Sequence, residues 1–215
     1  MTSPSIRLLT NGQPRPRRGY IPNSRALRWR SPSEENGPEP VVTVFVSQRA
    51  FVRCCAHAGS DLNNEVGGWL VGKWRMDKET GKEFVVVENI LPAPHTRQGS
   101  AFLTFTQETQ VALHQTLEER FPKKELVGWY HTHPRMGVFL SEYDTWLHRN
   151  FFPEPFQVAL VIEPYSSSGG FFIRQPDGSL DPRRYYGFYE LHNRKRRSVV
   201  HWRNIFPEAE VISGG

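Results

Sequence analysis

Leu126-Val127-Gly128-Trp129-Tyr130-His131-Thr132-His133-Pro134 decides the fold. The run is apolar and aromatic up to two histidines and a proline, which is the composition of a buried strand with a polar end. In a strand successive side chains alternate faces, so His131 and His133 point to one side and two imidazole nitrogens converge. Downstream, Ser141 followed by Asp144 reads as the N-cap and acidic first turn of a short helix through Trp146 and Leu147, ending near Phe151 or Phe152 before Pro153. That helix presents Asp144, whose carboxylate can be a third ligand. The fourth tetrahedral position is then left to water, as in a catalytic zinc site rather than a closed structural one. Far upstream, Glu65 opens Val66-Gly67-Gly68-Trp69-Leu70-Val71-Gly72 and suits a general base.

The elements around this strand predict a mixed α/β (α+β) domain. Val41 to Val46 reads as a buried β-branched strand, and Ser47 as the cap of a helix carrying Phe51, Val52, Cys55 and His57. The glycines of the Val66 to Gly72 strand predict close approach of another backbone. Phe84 to Val87 pairs with that strand across a turn at Asp77 to Gly81. Thr106 and Glu108 open a helix through Val111, Leu113 and Leu117 that ends before Pro122. After the histidine strand and its helix, Phe156 to Ile162 is another buried strand. Ser166 to Gly170 reads as a flexible loop, Phe171 to Ile173 as a strand, and Pro176 to Gly178 as a turn. Tyr185, Tyr186, Phe188 and Tyr189 cover one end of the core.

Composition divides the 215 residues into three parts. Residues 1–40, rich in Pro, Ser and Arg, lack apolar periodicity and are expected to be a disordered arm. Residues 41–192 form the domain, and 193–215 a basic extension. The formal charge of +5 gathers near Arg15 to Arg18, Arg25 to Arg30 and Arg194 to Arg197. No stacking-aromatic pattern accompanies it, so solvated tails are a better reading than nucleic-acid binding. The only cysteines, Cys54 and Cys55, are adjacent and poorly placed to bridge, which fits packing in a reducing cytoplasm. No apolar run approaches the length of a membrane span.

Glu65 with its glycine-rich strand, and Gly128-Trp129-Tyr130-His131-Thr132-His133-Pro134 through Ser141 to Asp144, resemble the JAMM (MPN+) motif of the Jab1/MPN metalloproteases. The match holds at every motif position and the resemblance covers roughly residues 41–175. It implies the cytidine-deaminase-like MPN fold, a curved mixed sheet flanked by helices. It also implies one zinc ion bound by His131, His133 and Asp144, Glu65 as catalytic acid and base, and Ser141 as stabiliser of the oxyanion. The substrate it implies is a ubiquitin-like or sulfur-carrier protein cleaved after its C-terminal Gly-Gly, in the company of E1- or E2-like conjugation enzymes. Met136, Gly137, Val138 and Phe139, between the ligands, would grip the extended tail, with residues from Pro92 to Phe102 as one wall of the groove. Val211-Ile212-Ser213-Gly214-Gly215 resembles such a tail and is read as a flexible end.

Other zinc motifs fit less well. A metallo-β-lactamase-like pattern would need Asp where Arg135 stands and His where Met136 stands. A nucleoside deaminase would need a downstream Pro-Cys-x-x-Cys. The rival from another class is a non-catalytic MPN-type scaffold or nucleic-acid-associated module using its basic tails. It has no need of Glu65 or of an open metal position.

Overall fold

The computed structural model describes residues 15–35, 37–93, 107–192 and 197–208, of which 107–110 as backbone alone. Near the start of this region lie β1 (Arg17–Gly19) and β2 (Ala26–Arg30), followed by β3 (Thr43–Ser47), α1 (Gln48–Ala58), β4 (Gly67–Asp77) and β5 (Glu83–Pro92). Then come α2 (Gln107–Arg120), β6 (Glu125–Thr132), α3 (Glu142–Phe151), β7 (Val158–Glu163), β8 (Ser168–Phe172), β9 (Phe188–Leu191) and β10 (Phe206–Pro207). The strands form one mixed sheet in the order β10-β2-β9-β3-β5-β4-β6-β7-β8, with β1 added in parallel to the far end of β4. The mixed α/β class read from the sequence is the observed one.

Alternation along the central strands gives the sheet two buried faces. On one, Leu70, Tyr130 and Leu160 meet Ala50, Phe51 and Cys54 of α1. On the other, Trp69, Trp129, Ala159 and Val161 meet Leu113 of α2 and Leu147 of α3. The Ser47 hydroxyl caps α1 by accepting from Ala50 N. Burial raises both cysteine thiols, Cys55 to about 12, so they pack rather than react. At Gly67 a Cβ would lie 2.4 Å from the Tyr130 carbonyl oxygen and 3.1 Å from His131 Cα, so the close approach expected of this strand is real. The β4–β5 turn closes where the sequence placed it, with Thr80 N donating to the Asp77 carboxylate and Gly81 at φ 69°. Among the described residues no helix is long and apolar enough to cross a membrane.

Three expectations are corrected. The arm expected over residues 1–40 contributes to the sheet, since β2 pairs antiparallel with β9 and Trp29 is buried. Arg25, Arg28 and Arg30 mask the apolar pair Leu27 and Trp29, whose strand finds its partners far along the chain in β9 and β10. The extension expected from 193 onward likewise joins the core, with Trp202 and Ile205 buried. The loop expected over Ser166 to Gly170 is largely strand. Gly169 and Gly170 are the glycines of β8 on which the Trp202 and Tyr185 rings lie, and a Cβ at either would meet ring atoms within 2.7 Å. The helix opening at Thr106, the groove wall beyond Ala93 and the C-terminal Gly-Gly fall outside the described residues.

Glu190, fully buried, joins these additions. It accepts from Trp29 Nε1 (3.2 Å), Gln48 Nε2 (2.8 Å), Ser198 Oγ (2.5 Å) and Val199 N (2.9 Å). Burial alone would raise its pKa, but these donors outweigh burial and hold it below the ordinary glutamate value of 4.5. Its contribution is therefore full above that value and is lost as pH falls through the lower folded one. Glu190→Ala should cost about 3 kcal/mol by urea unfolding near neutrality, because four donors lose their acceptor. The gap to wild type should narrow at about pH 3; an equal gap at both pH values would remove the carboxylate from this role.

Candidate metal centre

β6 lies between β4 and β7 and sends His131, and His133 just beyond its end, to the face covered by α3. Parallel pairing with β7 sets their height, His131 opposite Val161 and His133 N donating to Ile162 O at 2.9 Å. The Trp129 ring stacks on His131 at 4.5 Å and 8°, and its Nε1 donates to His148 Nδ1 of α3 at 3.0 Å. Burial, helped by the Arg174 charge, lowers the His148 pKa to about 3, so this imidazole is a neutral acceptor. The Trp129–His148 pair was not singled out in the sequence. Its signal was there, two residues before His131 on the strand and four after Asp144 on the helix.

Ser141 caps α3 and Asp144 completes a capping box. Ser141 Oγ accepts from Asp144 N at 3.1 Å, and Asp144 Oδ2 accepts from Ser141 N at 2.7 Å and Ser141 Oγ at 2.6 Å. The bonds that start the helix thus also aim the carboxylate. His131 Nε2 lies 2.9 Å from His133 Nε2 and 3.3 Å from Asp144 Oδ1, and His133 Nε2 lies 3.4 Å from Asp144 Oδ2. All three residues are buried, and their ligand atoms lie within 4.8 Å of one another. Bonds of about 2.0–2.1 Å in tetrahedral array put ligand atoms about 3.3 Å apart, so this donor set fits a metal ion. The Nδ1 atoms of both histidines have no hydrogen-bond partner among the described residues, so the polar contacts of these rings run through the converging Nε2 atoms. Burial opposes the Asp144 charge, but the histidines and Ser141 outweigh it and hold Asp144 well below the usual carboxylate range.

Glu65 stands just before β4, half-buried, at the same end of the antiparallel pair as His131. Burial raises its pKa to about 7, opposed by His133 and assisted by Asp144, so it belongs to the same electrostatic cluster. The loop between His133 and Ser141 divides. Met136 (47% exposed) and Gly137, at φ 92°, lie on the surface, whereas Val138 and Phe139 are half-buried, Phe139 with its ring 4.9 Å from that of His133. Beside it an open groove of about 490 Å³ is lined by Phe139, Leu140, Trp146, Arg149 and Arg183. Glu163, at the end of β7, accepts from Arg135 N, Tyr165 N and Ser166 N and so fixes the turn that follows His133. No hydrophobic pattern announces such a buried carboxylate.

The family described as JAB1/Mov34/MPN/PAD-1 ubiquitin protease matches residues 39–152. Ubiquitin carboxyl-terminal hydrolase RPN11 of Saccharomyces cerevisiae is 27% identical over 129 residues, 60% of this chain and 40% of its own length. COP9 signalosome complex subunit 5 is 34% identical over 124 residues in Yarrowia lipolytica (56% of this chain, 33% of the relative). In Drosophila melanogaster it is 28% identical over 183 residues (80% and 54%). The chain thus spans about a third to a half of the length of these relatives. The solution structure of protein DSY2949 from Desulfitobacterium hafniense aligns over 65% of this chain and 90% of its own with a TM-score of 0.49 and 22% identity.

A carboxyl whose folded pKa is raised stabilises fully below its unfolded value and loses that contribution as pH rises through the folded value, here from 4.5 to about 7. Glu65→Gln removes this cost. In metal-free protein the variant's advantage in Tm over wild type should therefore be larger at about pH 8 than at about pH 5, by on the order of 1 kcal/mol for a half-buried group, or about 2–4 °C. A difference independent of pH, by thermal unfolding in chelator, would mean that Glu65 ionises freely.

Proposed function

Since the chain belongs to the JAB1/Mov34/MPN/PAD-1 family, we propose that it is a zinc-dependent isopeptidase or peptidase. It hydrolyses the bond after the C-terminal Gly-Gly of a ubiquitin-like or sulfur-carrier protein. The observation that carries this reading is the buried convergence of His131, His133 and Asp144 beside a carboxyl, Glu65, whose pKa burial brings to about 7. Two imidazoles and a carboxylate suit zinc, and zinc held there would acidify a water and polarise the scissile carbonyl.

The chain's own residues do the rest. Glu65 accepts the proton of the attacking water and returns it to the departing amine, a task matched to a pKa near the working pH. Ser141 has a first duty to Asp144, since its hydroxyl donates to Oδ2 at 2.6 Å. It serves the oxyanion by turning that proton outward while its amide keeps the carboxylate in place. Met136, Gly137, Val138 and Phe139 border the path of an extended tail, which would bind through backbone bonds where only glycine passes. E1- or E2-like conjugation enzymes and a cytoplasmic setting belong to the same reading, with free Cys54 and Cys55 in keeping with a reducing compartment. The scaffold reading leaves the buried donor set without a use.

The test is cleavage of a panel of ubiquitin-like and sulfur-carrier proteins, each fused through its Gly-Gly to a reporter, by zinc-loaded wild type and Glu65→Gln. Wild type should cleave at least one fusion. Glu65→Gln should retain zinc and lose about 10²- to 10⁴-fold in kcat; turnover at the wild-type rate would dismiss Glu65 as the base. Ser141→Ala should lose zinc affinity as well as kcat, because it loosens Asp144; a loss confined to kcat would leave it the oxyanion role alone.

A further inference from the structure

Glu65 lies in no strand or helix, so something other than secondary structure must hold it. On its N-terminal side Asp61 closes a turn, its Oδ1 accepting from Asn63 N at 2.9 Å and Asn64 N at 3.0 Å, and its Oδ2 from Asn64 Nδ2 at 3.0 Å. On its C-terminal side the β4–β6 register ends at the pair Gly67 and His131. One step further Thr132 N donates to Val66 O at 2.8 Å. The reciprocal bond, from Val66 N, goes to the Thr132 hydroxyl oxygen at 2.9 Å. Thr132 is fully buried and Val66 nearly so, so water does not substitute for either partner.

Thr132 stands between the two histidines, and alternation turns its side chain away from the ligand atoms to the opposite face. We propose that Thr132 is the positioning residue of Glu65: its hydroxyl fixes the backbone next to the base and thereby ties the base to the strand that carries His131 and leads into His133. Valine would match its shape and supply no acceptor, and serine would keep the acceptor. The histidines themselves are placed by other contacts, the pairing with β7 and the Trp129 stack, so loss of the hydroxyl separates the position of the base from the integrity of the ligand set.

This inference rests on the proposed role of Glu65, and its test separates the two. Thr132→Val and Thr132→Ser are compared with wild type in zinc affinity by chelator competition, in hydrogen exchange of the Val66 amide, and in kcat and KM on whichever fusion wild type cleaves. Thr132→Val should bind zinc within about twofold of wild type, lose protection at Val66 and fall about 10- to 100-fold in kcat at little changed KM. Thr132→Ser should recover protection and most of kcat. Unchanged exchange at Val66 in Thr132→Val overturns the anchor, whatever the activity. Exchange lost with kcat unaltered, or kcat and zinc affinity falling together, overturns the positioning role. If wild type cleaves no fusion, the hydrolase reading fails, and hydrogen exchange alone decides whether Thr132 holds this backbone.

Discussion

Two imidazoles and a carboxylate taken out of water impose a desolvation penalty that their own contacts or a cation must offset. Much of the local architecture keeps the three together. β6 can present His131 to a buried layer because it has a strand on each side, and α3 can present Asp144 because Ser141 both starts the helix and holds the carboxylate. Gly67 lets β4 come close enough to His131 for Glu65 to join the cluster. The site is a small polar volume, and its neighbours are defined by how they enclose it.

Carboxylates also hold the irregular parts of the chain. Glu163 fixes the turn after His133, and Asp77 accepts from Ile21 N and Thr80 N, tying the segment that follows β1 to the β4–β5 turn. Glu34 accepts from Ser31 N and Gly187 N and pairs with Arg28. Each takes amide protons from segments that lack a strand partner, the recurrent answer to backbone donors removed from water. Order outside the regular elements therefore depends on carboxylate acceptors as well as on apolar packing.

The site was legible in the sequence because its information is local. His131, Thr132 and His133 are consecutive, and Ser141 and Asp144 form a cap signal within one turn, so alternation and capping place four side chains without knowledge of the sheet. Glu65 was singled out by chemistry and by resemblance, and the structure sets it in the same electrostatic cluster. The edge of the sheet was not, since β2 is short and rich in arginine, and its partner β9 is far along the chain. Gly169 and Gly170 pointed to a loop because glycine marks a turn and a close approach equally well, and only Trp202 and Tyr185 decide between them. Thr132 was quoted as part of a motif, yet its hydroxyl has meaning only once Val66 lies opposite.

The pairing of β2 with β9 has a consequence for how the molecule comes into being. His131, His133, Asp144, Glu65 and the elements around them all lie between β3 and β8. Their strands pair with one another within that stretch, whereas β2 must wait for residues some 160 positions later in the chain. Until then β3 has an open edge, with unpaired amides and carbonyls facing outward. Closure of that edge is a late, long-range event. A nascent chain that has not yet reached β9 therefore still offers the β3 edge to other chains.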